Sequence, residues 1–281
     1  MKAARIVGPR QIEITDVEDP KPREGEVLVK MVYNSLCGSD YPSFTGLKNF
    51  RMDYPYPPGY PGHEAVGIVV ESHCEGFEVG DRALVVGYYA GTFMEYITLP
   101  GANFLKLPPD GDLKTLMVGQ LLGTIVHAFY KLGNVINQKV VVLGQGSVGL
   151  LFDGLLRLFG ARMIIGVDLL DYRLETAKKM GATHTVNPSS TDLVQSVTDL
   201  TRGEMADLVV EAVGKQAVIN QALDLVRRNG TMLCFGVPMK DGDALGIFEF
   251  RYAEFFRKEL KMIGSVGPNP PVDFPIAIDL I

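Results

Sequence analysis

The feature that most constrains the fold is a short apolar run that leads straight into a glycine loop. Lys139–Leu143 (KVVVL) has the β-branched continuity of a strand buried on both faces of a parallel sheet. Gly144-Gln145-Gly146-Ser147-Val148-Gly149 comes directly after it, matches G-x-G-x-x-G, and opens into an apolar helix. Between a buried strand and a helix, each glycine has a task. Gly144 permits the tight turn, Gly146 lets the backbone approach a pyrophosphate, and Gly149 lets helix pack closely on strand. The N-terminus of that helix supplies unpaired N–H groups and a dipole that favours an anion, with Ser147 and Val148 in the loop beside it. A glycine-rich turn with no ligand is the weaker reading in this setting.

Beyond the glycine loop, strands and helices alternate. Leu150–Phe159 reads as helix, Met163–Val167 as strand, Leu174–Met180 as helix, Leu208–Glu211 as strand, Ala217–Arg228 as helix, and Thr231–Phe235 as strand. Such alternation implies βαβ units and a Rossmann-type, doubly wound parallel sheet. Asp168 ends the second strand, 19 residues after Gly149, close to the ~20 expected of an acid that binds the ribose hydroxyls. A carboxylate there repels a 2′-phosphate, so NAD is expected over NADP. Arg173 is expected to stack on adenine or to pair with Asp171.

The first ~110 residues have a different texture, with short β-rich runs (Glu26–Leu36, Ala65–Val70, Asp81–Val86, Phe93–Leu99) punctuated by Gly and Pro. They read as an irregular β-barrel. Leu113–Leu132 reads as a helix, and the boundary is placed near Pro108–Lys114, giving domains 1–112 and 113–260 and a last stretch 261–281. With 47% apolar and 21% charged residues the chain can bury a core, and its net charge of −6 argues against a nucleic-acid partner. No apolar run approaches a membrane span, and Met1–Arg10 lacks a signal-like core. Three cysteines, Cys37, Cys74 and Cys234, make no disulfide framework, so a reducing, cytoplasmic setting is expected.

Five motifs, in order, carry a resemblance: Cys37-Gly38-Ser39-Asp40, Gly62-His63-Glu64-Ala65-Val66-Gly67, Val79-Gly80-Asp81-Arg82, Gly91-Thr92-Phe93-Met94-Glu95-Tyr96 and the phosphate loop. Together they resemble the zinc-dependent alcohol and polyol dehydrogenases of the medium-chain dehydrogenase/reductase family. The resemblance implies a GroES-like β-barrel catalytic domain followed by the Rossmann coenzyme domain. It implies a catalytic zinc held by Cys37, His63 and Glu64, with Gln120 in the place of the third family ligand. Ser39 would relay the substrate proton, and Asp40 would orient the ligating imidazole. Thr124, Val213, Gly236 and Val237 are implied coenzyme contacts. The expected reaction is NAD-dependent oxidation of a secondary alcohol or polyol, or reduction of the ketone, with zinc polarising the oxygen. A homodimer or homotetramer is implied, paired through the edge formed by Thr231–Phe235 and Leu260–Ile263.

Three departures from the family pattern matter. Gln120 is a neutral amide where relatives carry Cys, Asp or Glu. Pro42 stands where many relatives have a His that completes the proton path, leaving Tyr41 as the nearest ionisable group. Only Gly87-Tyr88-Tyr89-Ala90 lie between Val86 and Gly91, so no structural zinc lobe is expected. These departures keep open a metal-free reductase of the same fold, like the quinone and enoyl reductases, and a non-catalytic NAD-binding protein. Cys74, Cys234, His127 and His184 are expected to fill core or loop, and Phe248–Phe256 to be core or interface. Pro271–Ile281 reads as an apolar helix cut short.

Overall fold

Alternation in the first strands decides which face is covered. The computed structural model describes residues 1–46, 52–87, 90–238 and 248–281. They fall into two compact units, Met1–Val126 with Pro268–Ile281, and His127–Gly267. In the first, β1 (Lys2–Gly8) and β2 (Gln11–Asp16) make an antiparallel hairpin. β3 (Glu26–Ser35) leads through a 3-10 turn at Gly38–Asp40 into α1 (Tyr41–Thr45). Then come β4 (Glu64–Ser72), β5 (Arg82–Val85), β6 (Tyr96–Pro100) and β7 (Phe104–Lys106).

These last strands and β3 form an antiparallel sheet of order β6-β3-β4-β5-β7, the GroES-like half-barrel. Val27 and Val29 on β3 face inward with Ala65, Val69, Ala83, Val85 and Phe104, as period-two patterning requires. Close approach is built in at Gly67, where a Cβ would lie 2.3 Å from Lys30 O of the neighbouring strand.

α2 (Leu113–Leu132) starts at Asp112, whose carboxylate accepts from Thr115 N and Thr115 Oγ1, an N-cap. The chain passes from one compact unit to the other within α2. The compact units divide at 126/127, inside α2, and at 267/268, just before the last helix. The last helix, α8 (Pro270–Asp279), belongs with the first unit. Its Phe274 is fully buried against Gly123, where a Cβ would stand 2.3 Å from the ring.

The second unit contains β8 (Lys139–Leu143), α3 (Ser147–Leu158), β9 (Met163–Val167), α4 (Asp171–Met180), β10 (His184–Val186) and α5 (Leu193–Thr201). It continues with β11 (Ala206–Glu211), α6 (Gln216–Leu225), β12 (Val226–Cys234), α7 (Tyr252–Arg257) and β13 (Lys261–Gly264). The sheet is parallel with order β10-β9-β8-β11-β12-β13, a doubly wound arrangement with its switch point between β8 and β11. Every residue of β8 is buried, as its composition requires.

The passage from α6 to β12 differs from expectation. The helix expected to run to Arg228 ends at Leu225, because Val226 is buried in sheet pairing with Ala206 and Arg227 is tied to Asp207. Among the described residues, no helix is long and apolar enough to cross a membrane.

Candidate active site and coenzyme loop

The chemistry of the first unit gathers at the end of β3 and the start of β4. Asp40 closes the turn after β3: its Oδ2 accepts from Cys37 N at 2.9 Å, while Asp40 N donates to Cys37 O. Its Oδ1 lies 3.4 Å from His63 Nδ1. The carboxylate thus fixes the cysteine turn and stands beside the imidazole, with Oδ1 buried and making no hydrogen bond. Its hold on Cys37 is an addition to what the sequence implied. Its burial raises the Asp40 carboxyl above the usual range, opposed by the Cys37 N–H.

The segment before β4 is locked from below. Gly91 N and Thr92 N both donate to Gly62 O, and a Cβ on Gly62 would meet Thr92 Oγ1 at 2.5 Å. The two glycine motifs are therefore one packing unit that presents His63 and Glu64. His63 Nδ1 faces Pro61 O at 3.1 Å, so this nitrogen carries the proton and Nε2 keeps the lone pair, 3.4 Å from Ser39 Oγ.

Ligand atoms of Cys37, His63 and Glu64 all lie within 4.8 Å of one another. Glu64 Oε1 is buried and makes no hydrogen bond. Burial, and then the charge of Glu64, push the Cys37 thiol up to about 12. A thiol and a carboxylate forced together in a dry site are the opposite of a stable pair until a dication joins them. One thiolate and one carboxylate balance two positive charges, and imidazole adds a neutral donor. This donor set fits zinc.

Gln120 is buried on α2, and Thr124, one turn on, spends its hydroxyl on Leu121 O. Tyr41 is half exposed, and Cys74 turns its thiol to Glu75 O. Tyr88 and Tyr89 lie outside the described residues.

The second unit presents the phosphate loop at the switch point. Gly149 is required by packing, since a Cβ there would fall 1.9 Å from Gly144 O. Gly144 has φ +92° and lies against Val213. Gly146 differs from both: no atom lies within 4 Å of where its Cβ would sit, and it precedes α3 with no side chain capping the helix. That open space over bare helix N–H groups fits a pyrophosphate. Ser147 is exposed there, and Val148 half-buried.

Asp168 accepts from Gln145 N at 2.8 Å and from Leu170 N at 3.0 Å, which ties the strand end to the phosphate loop. Arg173 pairs with Asp168 at 3.3 Å and not with Asp171, because Asp171 is taken by Asn187 Nδ2. Val213, Gly236 and Val237 do come together. A Cβ on Gly236 would meet Gly214 N and Val213 N, and one on Gly214 would meet Val237 O.

Sequence reasoning missed Glu211, which accepts from Val213 N and Gly214 N and so shapes this loop. The available signal was a charge closing the apolar run Leu208–Glu211. Cys234 is half-buried at the end of β12, and His184 Nδ1 meets Thr183 Oγ1, both without a part in either site.

A phosphate loop at a switch point, together with a Cys/His/Glu donor set in which His63 and Glu64 are buried, defines a zinc-type, nicotinamide-dependent oxidoreductase. Comparison with known proteins agrees. Residues 23–109 match the alcohol dehydrogenase GroES-like domain, and residues 147–281 match the zinc-binding dehydrogenase family. The chain is 31% identical to an L-threonine 3-dehydrogenase of Caldanaerobacter subterraneus subsp. tengcongensis, covering 80% of this chain and 73% of that protein. It is 29% identical to a sorbitol dehydrogenase of Bacillus subtilis, over 94% and 86% of the two chains. A short chain alcohol dehydrogenase from E. coli CFT073, solved with NADH, superposes with a TM-score of 0.85 at 26% identity, covering 99% of this chain and 86% of that one. The chain belongs to the zinc-type alcohol dehydrogenase family of medium-chain dehydrogenases/reductases. It is an oxidoreductase acting on CH–OH groups.

Proposed function

We propose that the protein oxidises a secondary alcohol or polyol with NAD, or reduces the corresponding ketone, using zinc at Cys37, His63 and Glu64. The observation that carries this reading is the donor cluster itself, with its unpartnered Glu64 oxygen. Bound zinc would supply Lewis acidity and NAD the hydride acceptor, so that alcohol and NAD+ give ketone, NADH and a proton. Cys37, His63 and Glu64 hold the metal, with Gln120 as a weak fourth donor or one standing off behind water. Pro61 O, facing His63 Nδ1, keeps the ring in the tautomer that leaves the Nε2 lone pair for the metal, and Asp40 stands beside the same nitrogen. Ser39 takes up the substrate proton, and Pro42 removes the onward histidine, so exchange with solvent proceeds without one.

Gly144, Gly146, Ser147, Val148 and Gly149 bind the pyrophosphate. Asp168 accepts from the ribose, with Arg173 held against it, and Thr124, Val213, Gly236 and Val237 complete the coenzyme contacts. NADH is therefore expected to bind at least about tenfold tighter than NADPH. Fluorimetric titration of both tests this, and Asp168→Ser narrows the gap. Tighter NADPH binding by the unaltered protein contradicts the assignment. Three free thiols suit a cytoplasmic setting.

Gln120 favours a second reading, the metal-free reductase. Zinc-loaded wild type and Cys37→Ser, assayed with NAD on an alcohol panel, separate the two. Loss of activity in Cys37→Ser supports the zinc reading, and full activity supports the reductase.

A further inference from the structure

The parallel sheet has two halves about its switch point, and each half closes a strand with a carboxylate. In β8-β9-β10 that group is Asp168, just past β9, which accepts from Gln145 N and Leu170 N. In β11-β12-β13 it is Glu211, the last residue of β11 and 1% exposed. Glu211 holds four N–H groups at once. Its Oε1 accepts from Val213 N and Gly214 N, each at 2.8 Å, and its backbone oxygen accepts from Phe235 N and Gly236 N, each at 2.9 Å. The segments after β11 and β12 are thereby closed on each other. A Cβ on Gly236 would stand 2.2 Å from Gly214 N and 2.8 Å from Glu211 Oε2, and one on Gly214 would stand 1.8 Å from Val237 O. Glu211 Oε2 is buried and makes no hydrogen bond. Burial raises the Glu211 carboxyl above the usual range, opposed by the Gly214 and Val213 N–H groups. An apolar side chain would fill this place without desolvating a carboxylate, so packing does not account for the group, whereas its hold on the loop does.

In a doubly wound sheet each half takes one mononucleotide of the coenzyme, across the switch point. The phosphate loop and Asp168 belong to the half proposed above for the pyrophosphate and the adenosine ribose, which leaves the ends of β11 and β12 to the nicotinamide. We infer that Glu211 is the positioning residue of the nicotinamide half: it sets Val213–Gly214 against Gly236–Val237 in the shape that seats the ring, and does not itself touch the coenzyme. The inference rests on the coenzyme reading given above. Losing the side chain frees Val213 N and Gly214 N and loosens the segment after β11. The phosphate loop, tied to β9 through Asp168, stays in place, and so does the bond from Ala212 N to Leu143 O.

The chain has no tryptophan, so the emission of bound NADH reports on its own ring. Glu211→Ala is expected to raise the Kd of NADH at least about tenfold and to shrink the blue shift of its bound emission. ADP-ribose, which lacks the ring, is expected to keep its Kd within about twofold by calorimetry. Glu211→Gln, whose amide oxygen accepts the same two N–H groups, is expected to restore most of the NADH affinity. If Glu211→Ala does not fold, Glu211→Asp, which draws the acceptor back by one carbon, is judged by the same two titrations. Equal losses for NADH and ADP-ribose, unchanged NADH binding, or a Glu211→Gln as weak as Glu211→Ala overturns the inference and leaves the coenzyme reading standing. Failure of the unaltered protein to bind either ligand overturns the coenzyme reading, and the inference with it.

Discussion

At the scale of single residues, the site depends on groups that are costly where they stand. Gln120 brings a buried neutral amide to the helix position where the family carries an anion. Gln120→Glu is expected to slow zinc loss to a chelator severalfold and to lower the turnover of bound alcohol, because an anionic donor strengthens binding and softens the Lewis acid. Equal zinc retention in both proteins contradicts a ligand role at this position.

Asp153 is a second costly group. It is fully buried on α3, neither carboxylate oxygen has a partner, and burial raises its pKa to about 8. An unfolded aspartate titrates near ~3.9. Between those values the folded state holds the extra proton, so stability falls as pH rises from about 4 to about 8, at up to about 1.4 kcal/mol per pH unit. Asp153→Leu is expected to raise Tm, and by more at pH 8 than at pH 5. A pH-independent difference contradicts this. Cys37 and His63 show how much of the site was legible. They stand 26 residues apart, a spacing that says nothing of a metal, and only the surrounding motifs brought them together in the reading. The reach of Asp40 to Cys37 N was not read from the sequence, and Glu211 gave only a charge at a strand end.

At the scale of elements, the phosphate loop separates glycines that hold the fold from one that serves the ligand. Gly149 has Gly144 O where a Cβ would go, and Gly146 has open space there. Gly149→Ala is therefore expected to lower Tm by several degrees. Gly146→Ala should keep Tm and weaken NADH binding at least about tenfold, because the methyl enters the pyrophosphate site. Similar Tm losses in both variants contradict the distinction. Buried strands were legible nearly to the residue at Lys139–Leu143 and Met163–Val167, since unbroken apolar runs leave a strand few alternatives. The passage from α6 to β12 was not. Leu225 and Val226 are both buried and apolar, and the change of period shows only in sheet pairing.

At the scale of the whole molecule, β13 is an edge strand of the parallel sheet among the described residues, with Met262 and Val266 exposed on and just beyond it. An edge strand with exposed apolar side chains invites pairing. A homodimer or homotetramer is expected by light scattering at micromolar concentration, and a monomeric mass contradicts it. The central claim is that this chain is a zinc enzyme whose metal sits on Cys37, His63 and Glu64. Anomalous diffraction at the zinc edge, from zinc-supplemented crystals, tests it most directly. The account predicts a peak within bonding distance of Cys37 Sγ, His63 Nε2 and a Glu64 carboxylate oxygen, and absence of any peak at these three residues would contradict it.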